Sequence, residues 1–152
     1  MSKDCPCHSG RRFAECCGPI LKGARKAATP EELMRSRYAA FALGEVDYLA
    51  KTLCAEHPDK TEDAAAGYRQ AREGLRYLDL CIMHTSMEGD VGEVLFYARI
   101  FERGVDRSFV ELSGFVREDG EWKYASGMMV KTEDLPPDPR KMTRAEVMRL
   151  SE

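Results

Sequence analysis

The order of secondary-structure signals along the chain predicts an α+β fold, with helices first and an antiparallel sheet after them. From about residue 29 to residue 74, apolar side chains recur at helical spacing. After residue 75, runs of strand-forming residues are separated by the turn dipeptides Gly89-Asp90 and Asp119-Gly120. Helices followed by hairpins are typical of a domain in which one sheet face packs on the helices.

The first predicted helix has clear start and stop signals. Thr29 is an N-cap residue, Pro30 suits the first helical position, and Glu32 is spaced to close a capping box. Gly44 suits the end of this helix, because glycine adopts positive φ without strain. Two further helices are predicted over residues 46–55 and 61–73.

The sheet is predicted to contain four strands joined mainly by tight turns. They cover residues 75–86, 91–102, 107–117 and 121–128. A short helix is also predicted from Thr143, since Thr143 and Glu146 repeat the capping-box spacing.

Composition divides the chain into three parts: a Cys/Gly/Pro-rich segment (1–23), a body (24–130) and a tail (131–152) that opens with a proline cluster at 135–139. The net charge of −3 is unevenly spread. The first 28 residues carry six basic and two acidic side chains, a net charge of +4, which leaves −7 for the remainder. A basic segment on an acidic body is compatible with an anionic partner, but we favour the interpretation that the local cations offset cysteine thiolates.

Hydropathy argues for a cytosolic protein without a membrane span. No apolar run approaches the ~20 residues that cross a bilayer, and the first residues lack the apolar core of a secretory signal. Cytosolic thiols are kept reduced, so we expect the cysteines to bind metal rather than to form disulfides.

The most specific chemical signal is a cluster of cysteines near the N-terminus. Four of the six cysteines fall within thirteen residues, as Cys5, Cys7, Cys16 and Cys17. Zinc takes four soft ligands in a tetrahedron, and a site closed by four sulfurs has no position for substrate water. The pattern therefore predicts a structural Zn²⁺ site, over which Phe13 packs and whose charge Lys3, Arg11 and Arg12 offset.

Other interpretations of the cluster remain open at this stage. Four thiolates also bind an iron–sulfur cluster, and His8 is a possible replacement for one sulfur. A redox-reactive pair is less favoured, because the C-x-x-C spacing is absent. Cys54 and Cys81 lie in apolar patterns and are predicted to be buried.

The cysteine segment resembles the SEC-C motif, the zinc-binding sequence at the C-terminus of the bacterial preprotein translocase motor ATPase. That motif has C-x-C, eight residues, and then C-C or C-H, usually with Ser-Gly after the second cysteine. The matching residues are Cys5, Cys7, Ser9, Gly10, Cys16 and Cys17, whereas His8 stands where glycine is commoner.

A longer set of pieces resembles the YchJ family of bacterial proteins. They include Leu33-Met-Arg-Ser-Arg-Tyr38, Phe109-Val-Glu-Leu-Ser113 and Asp119-Gly-Glu-Trp-Lys-Tyr124.

The resemblance implies an NTF2-like domain, in which a curved antiparallel sheet wraps around helices to form a cone with a pocket. Family members often carry His-Glu-Arg-Ser on the third strand; here residues 110–113 are Val-Glu-Leu-Ser, which lack the histidine and the arginine.

Candidate pocket residues follow from strand and helix periodicity. Glu111 and Ser113 share one strand face with Phe109 and Phe115 by the period of two. The remaining candidates are Arg35 and Tyr38 on the first predicted helix and Arg99 on a neighbouring strand. We expect Glu111 to form a structural ion pair with Arg35 or Arg37; the alternative is a base with a raised pKa.

Two hypotheses of function follow. The first is a binding or adaptor protein that uses the cysteine segment to contact another protein, or a ribosome or nucleic acid; nucleic acid is weakly supported, since aromatic and basic residues are not interleaved. The alternative is an enzyme or small-ligand binder that uses the cone. A filled cone with a salt-bridged Glu111 would favour the adaptor, and an open cone with an unpaired Glu111 would favour the ligand binder. A redox sensor that ejects zinc on oxidation is a third possibility, and the implied fold is compatible with a dimer.

Overall fold

The computed structural model describes residues 3–151 and has the predicted α+β architecture. The helices are α1 (Cys17–Leu21), α2 (Pro30–Leu43), α3 (Val46–Lys51), α4 (Ala64–Ala71) and α5 (Arg144–Leu150). The strands are β1 (Leu75–Glu88), β2 (Val91–Glu102), β3 (Val105–Asp106), β4 (Phe109–Glu118) and β5 (Glu121–Val130). Within the described residues, no helix combines the length and apolar character needed to span a membrane.

Helix α2 begins and ends at the predicted signals. The Thr29 hydroxyl accepts a hydrogen bond from the Glu32 amide at 3.1 Å, and Gly44 ends the helix at φ 79°. The reciprocal half of the predicted capping box does not form. The Glu32 carboxylate instead accepts from the Ala28 amide at 2.7 Å and from the Arg25 guanidinium at 2.9 Å, which draws it one residue upstream.

Helix α3 is shorter than predicted, because tertiary pairing takes over the backbone beyond it. The Cys54 amide donates to the Tyr124 carbonyl at 2.9 Å, and the Tyr124 amide donates to the Thr52 carbonyl at 2.7 Å. These bonds attach the end of α3 to β5 and stop the helix at Lys51. Helix α4 is likewise shorter than the predicted 61–73 span, at eight residues.

The sheet is antiparallel in the order β1-β2-β4-β5, and β3 adds a short pairing with β2. The predicted third strand begins two residues late, at Phe109, because Ser108 is held outside the ladder. The Ser108 amide donates to Asp106 at 2.8 Å, and its hydroxyl accepts from the Ile100 amide at 3.2 Å. Register shifts in β1 and between β4 and β5 bend the sheet.

Each face of the sheet has its own apolar core. The helix-covered face packs against α1, α2 and α3 through buried side chains that include Ile20, Leu33, Leu49, Phe96 and Trp122. The opposite face is covered by the tail, where Met142 and Val147 pack on Leu95, Val110 and Val130. Helix α5 forms the predicted capping box of Thr143 and Glu146.

Val147 anchors the tail, and replacing it tests how much the tail stabilises the fold. Val147→Ala should lower the free energy of unfolding by about 1–3 kcal/mol, because it removes fully buried methyl groups. The matched control is Met148→Ala, which shortens an exposed side chain on the same helix. Urea unfolding of both variants measures the difference; equal losses would contradict a packed tail.

Candidate metal centre and ligand cavity

The four predicted cysteine ligands are brought together in one buried cluster. Their sulfur atoms all lie within 4.8 Å of one another. The Cys7 and Cys16 sulfurs are 3.7 Å apart, and those of Cys16 and Cys17 are 3.9 Å apart. An ion bonded at ~2.3 Å to a tetrahedron of sulfurs separates each sulfur pair by about 3.8 Å. The cluster therefore has the dimensions of a metal site, whereas the sulfurs of a disulfide lie about 2.05 Å apart.

The local backbone explains how a short segment presents four sulfurs. The chain doubles back between Cys5 and Arg11, where the Cys5 amide donates to the Arg11 carbonyl at 2.8 Å. Left-handed residues make this reversal, with φ of 61° at His8 and 85° at Gly10. Cys16 then follows the 3-10 turn Phe13–Glu15, and Cys17 begins α1. Phe13 packs against the cluster, as predicted.

His8 is not part of the cluster. It is exposed, and its ring meets the ring of Tyr38 edge-on at 5.8 Å between centroids. The segment comprising residues 3–23, hereafter the knuckle, is packed on the body. Ala39 of α2 is fully buried among the four cysteines.

Electrostatics favour a cation within the cluster. The pKa of Cys17 is raised, first by its contact with Cys5, then by Cys7 and by burial. Four adjacent thiolates repel one another, so a divalent cation is needed to keep all four ionised.

A basic group of α2 contacts the cluster directly. The Arg35 guanidinium donates to the Cys7 carbonyl at 3.1 Å and lies 3.9 Å from the Cys7 sulfur. Lys3, Arg11 and Arg12 are exposed, and Arg11 donates to the Glu15 carbonyl at 2.6 Å.

The prediction that Arg35 lines the pocket is corrected, because Arg35 is absent from the cavity wall. The residues of α2 that line the cavity are Met34, Arg37, Tyr38 and Phe41. Arg35 follows Met34 in the helix and is therefore turned by about 100° away from the cavity.

A cavity of about 350 Å³ opens between the helices and the sheet. Eight aromatic rings line it: Tyr38, Phe41, Tyr68, Tyr77, Phe96, Phe109, Phe115 and Tyr124. The polar lining residues are Arg37, His57, Asp59, Glu111 and Ser113. Three of the predicted pocket residues thus line one cavity: Tyr38, Glu111 and Ser113. Phe109 and Phe115 line it from the same strand as Glu111 and Ser113, as predicted.

Glu111 is held by hydroxyl groups. Both Ser113 Oγ and Tyr124 Oη donate to its Oε2 atom, the latter at 2.9 Å. Both hydrogen bonds of the carboxyl group within residues 3–151 go to Oε2, and none goes to Oε1. Burial raises the pKa of Glu111, although the two hydroxyls and the charge of Arg37 oppose that shift. Only 8% of the residue is exposed.

The predicted ion pair of Glu111 with Arg35 or Arg37 does not form. Arg37 instead joins three helices, since its Nη1 donates to the Leu49 carbonyl at 2.8 Å and to Thr52 Oγ1 at 2.5 Å. Its Nη2 donates to the Tyr68 hydroxyl at 3.1 Å. The Arg37 guanidinium therefore donates to a carbonyl and two hydroxyl groups, and not to the Glu111 carboxylate as predicted.

Arg99 does not reach the cavity, and this candidate is also corrected. Strand alternation places Phe96 and Ile100 on the cavity side of β2, whereas Arg99 faces away and is exposed. Its guanidinium carbon lies 5.5 Å from the Phe101 ring centroid.

Tyr124 and Gly127 are functional candidates that sequence reasoning missed. A Cβ atom at Gly127 would collide with the Tyr124 hydroxyl and would lie 2.6 Å from Glu111 Oε2. Gly127 thus makes room for the carboxyl network. A lone glycine inside a strand is a signal of close approach, but the extra residue Ala125 shifts the strand alternation, so the period of two could not align Tyr124 with Gly127.

Comparison with known proteins identifies the family of this chain. The SEC-C motif matches residues 1–19, and the domain described as "YchJ, middle NTF2-like domain" matches residues 29–127. The chain belongs to the YchJ-like family. A UPF0225 protein of Geobacter sulfurreducens is 38% identical over 135 residues, which cover 86% of this chain and 82% of that protein. The family resemblance seen in the sequence is thereby confirmed.

Solved structures support the fold of this family member. A SEC-C motif containing protein from Rhodopseudomonas palustris is 38% identical, with a TM-score of 0.74 over 84% of this chain and 97% of that one. One from Psychrobacter arcticus is 22% identical, with a TM-score of 0.68 over 80% of each chain. A putative calcium/calmodulin-dependent protein kinase type II association domain from Thiobacillus denitrificans is 18% identical, with a TM-score of 0.53 over 69% of this chain and 96% of that one. The last two show likeness of fold alone.

The raised pKa of Glu111 predicts a pH-dependent effect of Glu111→Gln on stability. Between the ordinary glutamate pKa and the raised one, the unfolded chain loses the Glu111 proton and the folded chain keeps it. The wild type therefore loses stability relative to the Gln variant as pH rises through that window, by about 1.4 kcal/mol for each pKa unit of separation. Below the window both proteins carry a neutral group, so the difference is constant.

Urea unfolding of the two proteins from about pH 4 to about pH 8 measures this difference directly. Other titrating groups are common to both proteins and cancel. A difference in unfolding free energy that stays flat across the range would show that burial does not hold the proton on Glu111.

Proposed function

We propose that this chain is a small-ligand binding protein whose cavity takes an apolar molecule and whose cysteine cluster holds a structural Zn²⁺. The observation that carries the proposal is Glu111, which is buried in an open aromatic cavity without an ion pair in the described residues. A filled cone with a salt-bridged Glu111 would have favoured the adaptor function. The cavity and the free carboxylate oxygen reverse that order.

The shape and lining of the cavity support a small molecule as its occupant. Pockets for small molecules measure about 300–1,000 Å³ and have apolar walls with a few converging polar groups. This cavity lies at the lower end of that range, and Arg37, His57 and Glu111 all contact Tyr124 in its wall. Aromatic walls supply apolar contact area at small cost in side-chain entropy.

Zinc is the ion that best suits the cluster. Four thiolates at tetrahedral spacing form a closed site, which is structural rather than catalytic. The cluster sulfurs are not joined in disulfides, so all four are available as thiolate ligands. Because the knuckle packs on α2 and α1 contributes Ile20 to the main core, the ion would stabilise the body as well as the knuckle.

Docking to an anionic partner through the knuckle is the second candidate function. It is favoured by six exposed basic side chains in and beside the knuckle: Lys3, Arg11, Arg12, Lys22, Arg25 and Lys26. Arg25 is paired with Glu32 at 2.9 Å, and Arg12 lies 3.9 Å from Glu15, so their charges are partly offset. A protein or ribosomal partner that is lost on Arg11→Glu, but retained when the cavity is blocked, would favour docking over ligand binding.

Two adjacent methionines provide a matched test of the cavity. Met129 lines the cavity and is 45% exposed, whereas Met128 lies on the opposite face of β5 and is 43% exposed. Met129→Trp should fill part of the cavity and weaken binding of the neutral fluorophore N-phenylnaphthylamine by at least about tenfold, with Met128→Trp close to wild type. Fluorescence titration measures both. Equal binding by all three proteins would place the fluorophore elsewhere and contradict the proposal.

Metal analysis tests the zinc assignment. The wild type and Cys54→Ser, whose cysteine is buried outside the cluster, should each contain one Zn per chain. Cys16→Ser should contain less zinc and melt at a lower temperature, since structural zinc contributes an apparent ~10–16 kcal/mol in finger peptides. Iron in place of zinc, or full zinc content in Cys16→Ser, would overturn the assignment.

A further inference from the structure

Arg37 is a buried cation without a counter-ion in the described chain. It is 7% exposed and lines the cavity. Its three hydrogen bonds go to a carbonyl and two hydroxyls, and none of the ion pairs within residues 3–151 involves it. A buried charge is costly unless it is paired, so an anion beside Arg37 would be stabilised.

Tyr124 places Arg37 and Glu111 at one part of the cavity wall. Its ring centroid lies 4.8 Å from the Arg37 guanidinium carbon, and its hydroxyl donates to Glu111 Oε2 at 2.9 Å. The remaining wall is dominated by aromatic and aliphatic side chains. A cation and a carboxyl group thus flank the same tyrosine, and the His57 ring lies 5.5 Å from it.

The hydrogen bonds of Glu111 determine whether its Oε1 atom acts as a donor or an acceptor toward a ligand. Oε2 accepts from two hydroxyls, so a proton bound to this carboxyl group belongs on Oε1, where no group of the described chain competes for it. A neutral Glu111 then presents an O–H donor to the cavity, beside the N–H donors of Arg37. Two donor groups that flank the same tyrosine suit an oxygen acceptor with two lone-pair sites, such as a carboxylate.

Glu111 could bind either an ammonium group or a carboxylate, and the charge of Arg37 favours the carboxylate. An ammonium group paired with an ionised Glu111 would bring a second cation close to Arg37, in surroundings where charges are weakly screened. A carboxylate would compensate Arg37 and accept from the protonated Glu111. Resting on the ligand cavity proposed above, we infer that its ligand is an apolar organic acid whose carboxylate is held by Arg37 and Glu111.

This arrangement ties binding to a proton. The complex contains two carboxyl groups and one proton between them, and the proton comes from solvent when Glu111 is ionised in the free protein. Affinity for the acid therefore falls as pH rises above the pKa of Glu111. The titratable and charged groups that share the cavity wall with Glu111 are Arg37 and Tyr38 of α2, His57 and Asp59 after α3, Tyr68 of α4, Tyr77 of β1 and Tyr124 of β5.

Three ligands of one shape test the inference: naphthoate, naphthamide and naphthylmethylammonium. Each competes with N-phenylnaphthylamine for the wild-type protein carrying its metal. Naphthoate should bind at least about tenfold tighter than the ammonium compound near pH 6, with naphthamide between them. Its affinity should fall with rising pH in the wild type but change little in Glu111→Gln, which mimics the protonated carboxyl group.

Each contrary outcome has a distinct meaning. An ammonium compound that binds as tightly as naphthoate would overturn the inference and leave the ligand cavity standing. A pH dependence that persists in Glu111→Gln would assign it to another group and remove Glu111 from carboxylate binding. If the fluorophore itself fails to bind the wild type, or binds Met129→Trp equally, the proposed function fails first and the inference fails with it.

Discussion

Helix α2 is the element on which both candidate sites depend, because successive residues of one helix must satisfy two different neighbours. Arg35 and Ala39 face the knuckle, where they meet the Cys7 carbonyl and the buried sulfurs. Arg37 and Tyr38 face the cavity. An α-helix turns by about 100° per residue, so a rotation that improved one set of contacts would break the other. The N-cap at Thr29 and the left-handed Gly44 fix the ends of this helix, and the hydrogen bonds of Arg37 to α3 and α4 fix its rotation.

Local chemistry made much of the fold predictable. The cap at Thr29, the capping box at Thr143 and the turn at Asp119-Gly120 are encoded in a few adjacent residues, and the structure has all three. The misjudged boundaries depend on contacts distant in sequence. Helix α3 stops early because β5 takes its next backbone groups, and β4 starts late because Asp106 and Ile100 hold Ser108. No local pattern contains those partners.

The two candidate sites differ in the same way: the cysteine cluster is set by local sequence, and the cavity is set by contacts distant in sequence. Four cysteines at close spacing specify their own cluster, since the residues that bring them together lie between them. The cavity draws its lining from two helices, the segment after α3 and four strands, so only single-strand relations such as Glu111 with Ser113 could be predicted. The ion pair expected for Glu111 failed because hydroxyl groups of Ser113 and Tyr124 reached it instead. One inserted residue in β5 changed which side chains face inward, and hydrophobic alternation cannot anticipate such an insertion.

The tail has a consequence for how copies of this molecule could meet. With α2 on one side of the sheet and Met142 and Val147 on the other, the central strands are covered on both faces. The lateral margins of the sheet lie at β1 and along the part of β5 beyond the bridge to Leu53. A strand added at the β1 edge would extend the sheet sideways, and the charged side chains along β1, among them Arg76, Asp79 and Glu88, work against such pairing.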